Sequence, residues 1–373
     1  MPILRRVRSF LTCVPILAVG GIFSACSGAV AAEPSAAAEP ASPTVSPGVD
    51  TSGYWPTDGW RTSTPEEQGM DGGLIGQALE AVERDGISLH SLLVIRHGYI
   101  VSESYFQGYT ETRKHELYSV TKSFVSTLTG IAIDQGYIDG IQTPVTDFFP
   151  GTAFENPDPR KNAMTLEDVL TMRTGLDWLE SDSTFFAMHR APDWGKFVLD
   201  LPLADDPGGE FLYCSGCSHL LSTVVQKASG MPLRDFADRY LFSPLGITAV
   251  NWETGMDDVP IGGWGLSLTP RDMAKLGYLF LHGGNWDGRR IVSAEWVTEA
   301  TRTQAEAGAM LDYGYQWWVY SAHHAYLALG RYGQTIYVLP DLDMIIVTTA
   351  AEEGHDHVFE LADLYLIPAA ENG

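Results

Sequence analysis

Ser119-Val120-Thr121-Lys122 is the only place in the chain where a serine stands three residues before a lysine, and there are only six lysines in all. On a helix, residues i and i+3 share a face, so the amine can approach the alcohol. The flanking pattern supplies the helix. Apolar Val120, Phe124, Leu128 and Ile131 recur at helical spacing from Ser119 to Gln135, and Gly136 is a stop. An amine buried there loses proton affinity and can take the hydroxyl proton. A serine at a helix start also lies beside free N–H groups and the positive end of the dipole, which favour developing oxyanion charge. The other reading of the same four residues is an ordinary capping serine beside a solvated lysine. No G-x-S-x-G elbow competes for the role of nucleophile.

The chain around this motif has 373 residues, 45% hydrophobic and 19% charged. That composition excludes a disordered or collagen-like chain and is long enough for two domains or one large domain with an insertion. Against 23 Lys and Arg stand 47 Asp and Glu, a net charge of −24. Such a field repels polyanions and argues against nucleic-acid binding. Residues 1–32 read as an export signal, with Arg5, Arg6 and Arg8 before an apolar stretch from Phe10 to Phe23. That stretch is too short for a confident membrane span. Phe23-Ser24-Ala25-Cys26 resembles a bacterial lipobox, which would make Cys26 a lipid anchor, while Ala29-Val30-Ala31 offers a competing cleavage site. Residues 33–50 are an Ala/Pro/Ser-rich linker. The expected location is outside the cytoplasm of a bacterium: periplasmic, extracellular or membrane-anchored.

The folded part is expected over 51–373. Leu92-Leu93-Val94-Ile95 and Tyr99-Ile100-Val101 flank His97-Gly98 and read as a β-hairpin. Helices follow through a long middle stretch. Thr165 to Leu170 opens with a capping box. Ser218 to Ser229 closes at Gly230, and a third helix runs from Thr269-Pro270 to His282. Strands return at Gln334–Leu339 and Met344–Thr349, joined by Pro340-Asp341, before a final helix near His357–Leu366. The pattern is α/β (α+β): a sheet built from both termini, with a helical insertion. The sheet lobe is placed at about 51–120 and 320–373, and the helical lobe at about 121–319. Clefts between such lobes are where sites form.

A lysine alone cannot serve both proton transfers of an acyl transfer. Pro207-Gly208-Gly209-Glu210-Phe211-Leu212-Tyr213-Cys214-Ser215 supplies a second element. It resembles the P-G-x-x-F-x-Y-S-N stretch of the serine β-lactamase and penicillin-binding-protein superfamily, on the class C side. That side also contains esterases and 6-aminohexanoate-dimer hydrolases. The resemblance runs from Trp60 onward. It is supported by Val94-Ile95-Arg96-His97-Gly98, by Thr165 to Leu176, by Pro244-Leu245-Gly246-Ile247 and by Gly265 to Asp272. It implies a β-lactamase/transpeptidase-like fold, an antiparallel sheet flanked by helices. It implies Ser119 as nucleophile, Lys122 as its base, Tyr213 as the acid/base for the leaving group, and no cofactor. The rival reading of Tyr213 is a core tyrosine beside a helix start.

The family's third motif, K-T-G or H-x-G, falls at Ala328-Leu329-Gly330, followed by Arg331. The resemblance places the oxyanion hole at the N–H groups of Ser119 and Arg331, with Gly330 letting substrate approach the strand. Ala328 stands where a cation is usual, and Ser215 where β-lactamases carry Asn. Both departures point away from β-lactamase or D,D-peptidase activity and toward the esterase and 6-aminohexanoate-hydrolase branch. Cys214 and Cys217 are read as either a disulfide stiffening the turn after Tyr213 or two small buried thiols. His323-His324 and His355-Asp356-His357 lack a zinc-protease frame and read as loop and cap residues, so no metal is expected. Of the tryptophans, Trp178 and Trp317 are the candidates for lining a pocket, although aromatics more often fill cores. The expected activity is hydrolysis of a small ester or amide. A 6-aminohexanoate-type amidase and a β-lactamase or D,D-peptidase are alternatives, and a non-catalytic binding protein keeping the fold is the rival from another class.

Overall fold

Leu89–Arg96 and Tyr99–Tyr105 pair antiparallel as the first hairpin. The computed structural model describes residues 54–373, so the signal at 1–32, Cys26 and the linker at 33–50 lie outside the described residues. The hairpin is part of an eight-stranded sheet. Across it the order is Arg61–Thr62, Tyr99–Tyr105, Leu89–Arg96, Met344–Ala350, Gln334–Leu339, Ala325–Gly330, Trp318–Tyr320 and Asp312–Tyr313. All neighbours are antiparallel except Arg61–Thr62, which runs parallel to Tyr99–Tyr105. The first and last parts of the folded chain therefore meet at its centre, where Leu92 faces Thr348 and Val94 faces Ile346.

Alternate side chains of a strand point to opposite faces. Leu92, Val94, Ile346, Tyr337, Leu327 and Leu329 pack with the helix Gly72–Arg84 and the C-terminal helices. Leu93, Ile95, Ile345, Val347, Ile336 and Ala328 pack with the middle helices. Both faces are covered, which is why Leu92–Ile95 and Met344–Val347 are unbroken apolar runs rather than alternating ones. Burial of each such side chain contributes roughly 1.5–3 kcal/mol.

The helix Pro270–Leu281 falls within the range read as helical lobe, yet it lies on the sheet. A Cβ at Gly277 would stand 2.9 Å from Ile336 and 3.1 Å from Ile345, so only glycine lets the helix come so near. The strands Asp312–Tyr313 and Trp318–Tyr320 extend the sheet upstream of 320 as well.

The helix carrying Lys122 runs from Thr121 to Asp134 and is buried on every side from Thr121 to Ala132. Its hydroxyls are satisfied internally. Ser123 Oγ donates to the Gln316 carbonyl at 2.7 Å and Ser126 Oγ to the Tyr315 carbonyl at 2.7 Å. Thr127 and Thr129 donate back to carbonyls four residues earlier. Ser119 itself lies in a tighter 3₁₀ turn, Tyr118–Val120, just ahead of the helix. The helix Ser215–Ser229 begins three residues before the expected Ser218, because Cys214 caps it: its Sγ accepts from the Cys217 N–H at 2.9 Å. Cysteine sulfur is not among the usual capping groups, and the sequence pattern gives no sign of this one.

Candidate active site

Lys122 is 1% exposed, while Ser119 beside it is only half-buried. The Lys122 Nζ has three partners: Ser119 Oγ at 3.1 Å, Ser215 Oγ at 3.0 Å and the Gly263 carbonyl at 2.8 Å. Burial draws its pKa down from the ordinary lysine value to about 8, and the negative charge of Glu180 opposes that shift.

Tyr213 directs its phenol at Ser119. Its ring lies 4.8 Å from Lys122 Nζ and stacks on Trp318, with centroids 5.9 Å apart and planes 18° from parallel. Burial pushes the phenol well above its ordinary pKa, the hydrogen bond with Ser119 works the other way, and Glu180 adds to the rise. At rest the group is a phenol, not a phenolate.

Glu180 is the residue the sequence reading missed. Its Oε1 accepts from Ser215 Oγ at 2.7 Å, and its Oε2 accepts from the Ser215 N–H at 2.9 Å and from Trp178 Nε1 at 2.6 Å. It lies four residues beyond Leu176, where the recognisable segment ends, in a loop with no pattern of its own. Only Trp178, two residues earlier, hinted that this loop reaches the interior. Trp178 is buried. It holds Glu180 and packs on the start of the Ser215–Ser229 helix, where a Cβ at Gly216 would meet its ring at 2.6 Å. Cys214 and Cys217, directly after Tyr213, have their sulfurs 2.02 Å apart, joined as a disulfide at the same helix start.

The opposite wall is the turn Gly330–Gly333. A Cβ on Gly330 would stand 2.2 Å from the Leu117 carbonyl and 3.2 Å from the Ser119 nitrogen, so at this point the two backbones lie against each other with no room for a side chain. Tyr118 (φ 46°) and Tyr332 (φ 66°) both hold left-handed backbone, one next to Ser119 and the other next to Arg331. Their rings meet edge to face at 5.3 Å. Such conformations cost on the order of 1–3 kcal/mol each and persist only where the surroundings enforce them. The Arg331 guanidinium turns outward over the Tyr332 ring, 4.6 Å from its centroid. Ala328, read from the sequence as standing at the motif's cation position, is a buried methyl opposite Ile336.

Trp317 is not a pocket residue. It is fully buried against Phe280, with centroids 4.5 Å apart, and Trp318 is the neighbour that reaches the site. His323 pairs with Asp363 and His357 with Glu360, both away from Ser119. His355 differs: its Nε2 lies 2.9 Å from the Gly330 carbonyl.

Comparison with known proteins supplies the family. A curated 6-aminohexanoate-dimer hydrolase of Paenarthrobacter ureafaciens is 28% identical over 283 residues, covering 69% of this chain and 71% of the relative. A solved Bacillus anthracis structure, provisionally named as a 6-aminohexanoate-dimer hydrolase, superposes with a TM-score of 0.67 at 21% identity, over 79% of this chain and 81% of that one. EstCE1, described as a hydrolase with promiscuous acyltransferase activity, gives 0.64 at 15% identity, over 81% and 98%. These two show the shared fold. The family model described as Beta-lactamase matches residues 73–370, a span holding Ser119, Lys122, Tyr213 and Gly330. The chain is thus a hydrolase of the β-lactamase fold and belongs to the beta-lactamase family.

Proposed function

We propose that the protein is a serine hydrolase that cleaves an ester or small amide through an acyl-enzyme on Ser119. The reading rests on the three partners of Lys122. The Gly263 carbonyl can only accept a hydrogen bond. Ser215 Oγ has committed its proton to Glu180, so toward Lys122 it also accepts. A neutral Lys122 amine has two N–H groups, which these acceptors take, and one lone pair. Ser119 Oγ is then the one partner able to donate into that lone pair.

The chemistry follows. Ser119 Oγ attacks the carbonyl carbon as its proton passes to Lys122. The N–H groups of Ser119 and Arg331 receive the oxyanion. As the bond to the leaving group breaks, Tyr213 gives that group a proton, and Lys122 returns a proton to Tyr213. Water repeats the attack on the acyl-enzyme and frees Ser119. Two features favour a small ester or an amide of the aminoalkanoate type over a β-lactam: the buried methyl of Ala328 and the similarity to a 6-aminohexanoate-dimer hydrolase. The test is a substrate panel of p-nitrophenyl butyrate, 6-aminohexanoate dimer, nitrocefin and a D-alanyl anilide, run on wild type and on Ser119→Ala. Turnover of the ester or the dimer should vanish in Ser119→Ala. Near-normal hydrolysis by that variant would end the proposal, and a wild type inert to all four would favour the binding-protein reading.

A further inference from the structure

Every carbonyl of the turn Gly330–Gly333 is held from behind. Gly330 O accepts from His355 Nε2 at 2.9 Å, and Arg331 O from Gln334 Nε2 at 2.9 Å. Tyr332 O accepts from the Glu352 N–H at 3.1 Å, and Gly333 O from Thr348 Oγ1 at 2.8 Å. Three of these donors belong to the sheet or to backbone. The fourth, His355, reaches in from the loop after Met344–Ala350.

His355 differs from the other three in which peptide it holds. Gly330 O and the Arg331 N–H belong to one peptide unit. Every described peptide bond is trans, so these two groups lie in one plane and point in opposite directions. A donor fixed on the carbonyl therefore fixes the direction of the N–H. It also polarises the amide and strengthens that N–H as a donor. The carbonyl can only accept, so the facing ring nitrogen carries a proton. Burial lowers the pKa of His355, in keeping with a neutral ring that donates from Nε2.

We infer that His355 is a positioning residue for the oxyanion site, acting through the Gly330–Arg331 peptide to aim the Arg331 N–H beside that of Ser119. The inference rests on the serine-hydrolase reading above and adds a residue to it. His355 touches neither substrate nor nucleophile, so its effect should appear where charge develops and not in substrate binding.

The experiment compares His355→Leu, which removes the donor, with His355→Gln, whose amide has the reach to restore it. For each, kcat and KM are measured with p-nitrophenyl butyrate, along with inhibition by an alkyl boronic acid, whose tetrahedral adduct on the serine carries the oxyanion charge. His355→Leu should lose about 10-fold in kcat with KM nearly unchanged, a fraction of the ~100-fold or more expected when an oxyanion donor is deleted outright. Boronate affinity should fall by a similar factor, and His355→Gln should recover most of both. If His355→Leu does not fold, His355→Asn, which is too short for the carbonyl, takes its place with the same expectations. A folded donor-less variant with kcat and boronate affinity within twofold of wild type overturns the assignment, as does a folded His355→Gln no better than His355→Leu. A wild type that shows neither turnover nor fluorophosphonate labelling at Ser119 would instead overturn the hydrolase reading, and this inference with it.

Discussion

The two walls of the site are built on different principles. The helix wall, around Ser119 and Lys122, works through side chains whose protons are directed by their partners. The strand wall, Gly330–Gly333, works through backbone, and its one charged side chain, Arg331, turns outward over Tyr332. One wall depends on which residues are present. The other depends on how near the chain can come to itself. A substitution on the helix wall should change the chemistry and its pH dependence, whereas one on the strand wall should change geometry alone.

The sharpest way to break that division is Lys122→Ala. Loss of the base should lower kcat by ~1000-fold. In wild type the amine must be neutral to act, so kcat/KM should fall as pH drops below about 8, the value set by burial of Lys122. The variant should lack that limb, and a surviving limb at the same pH would assign it to another group. Next in size is Gly330→Ala. At φ −125° the backbone there tolerates alanine, so the effect is purely steric. The added methyl would meet the Leu117 carbonyl at 2.2 Å, and the displacement should cost about 100-fold in kcat with the acid limb unmoved. A shifted limb would show that the walls are not independent. The smallest effect is expected from Glu180→Gln. An amide oxygen can still accept from Ser215, so kcat should fall by only ~10-fold. The carboxylate charge raises the Lys122 pKa, and its removal should move the acid limb below pH 8. A limb that stays or moves upward would contradict the electrostatic role of Glu180.

The same division explains how far the sequence could be read. The Ser119–Lys122 pair and Tyr213 stand in short motifs whose spacing is itself the signal, and the hairpin at His97-Gly98 and the strands at 334–339 and 344–349 follow from short apolar runs bounded by turn residues. Glu180 was not legible, because its relation to Ser215 exists only after its loop has folded against the start of the Ser215–Ser229 helix. Trp317 and Trp318 are adjacent, and strand alternation sends one to the core and the other toward Tyr213, a choice that depends on register. His355 looked like a loop residue because its partner is a main-chain carbonyl, which leaves no trace in side-chain pattern. The position of Pro270–Leu281 on the sheet depended on a single glycine, Gly277.

The order of the parts along the chain has a consequence for biosynthesis. Ser119, Lys122 and Tyr213 leave the ribosome well before Gly330, and the sheet's central strand, Met344–Ala350, comes later still. Until that strand inserts beside Leu89–Arg96, the turn that carries the Arg331 N–H lacks the Thr348 hydroxyl and the segment after it that hold its carbonyls. If the proposed mechanism holds, a half-made chain would have the serine and its base without the site that receives negative charge, and acylation should begin only after synthesis has passed the final strand.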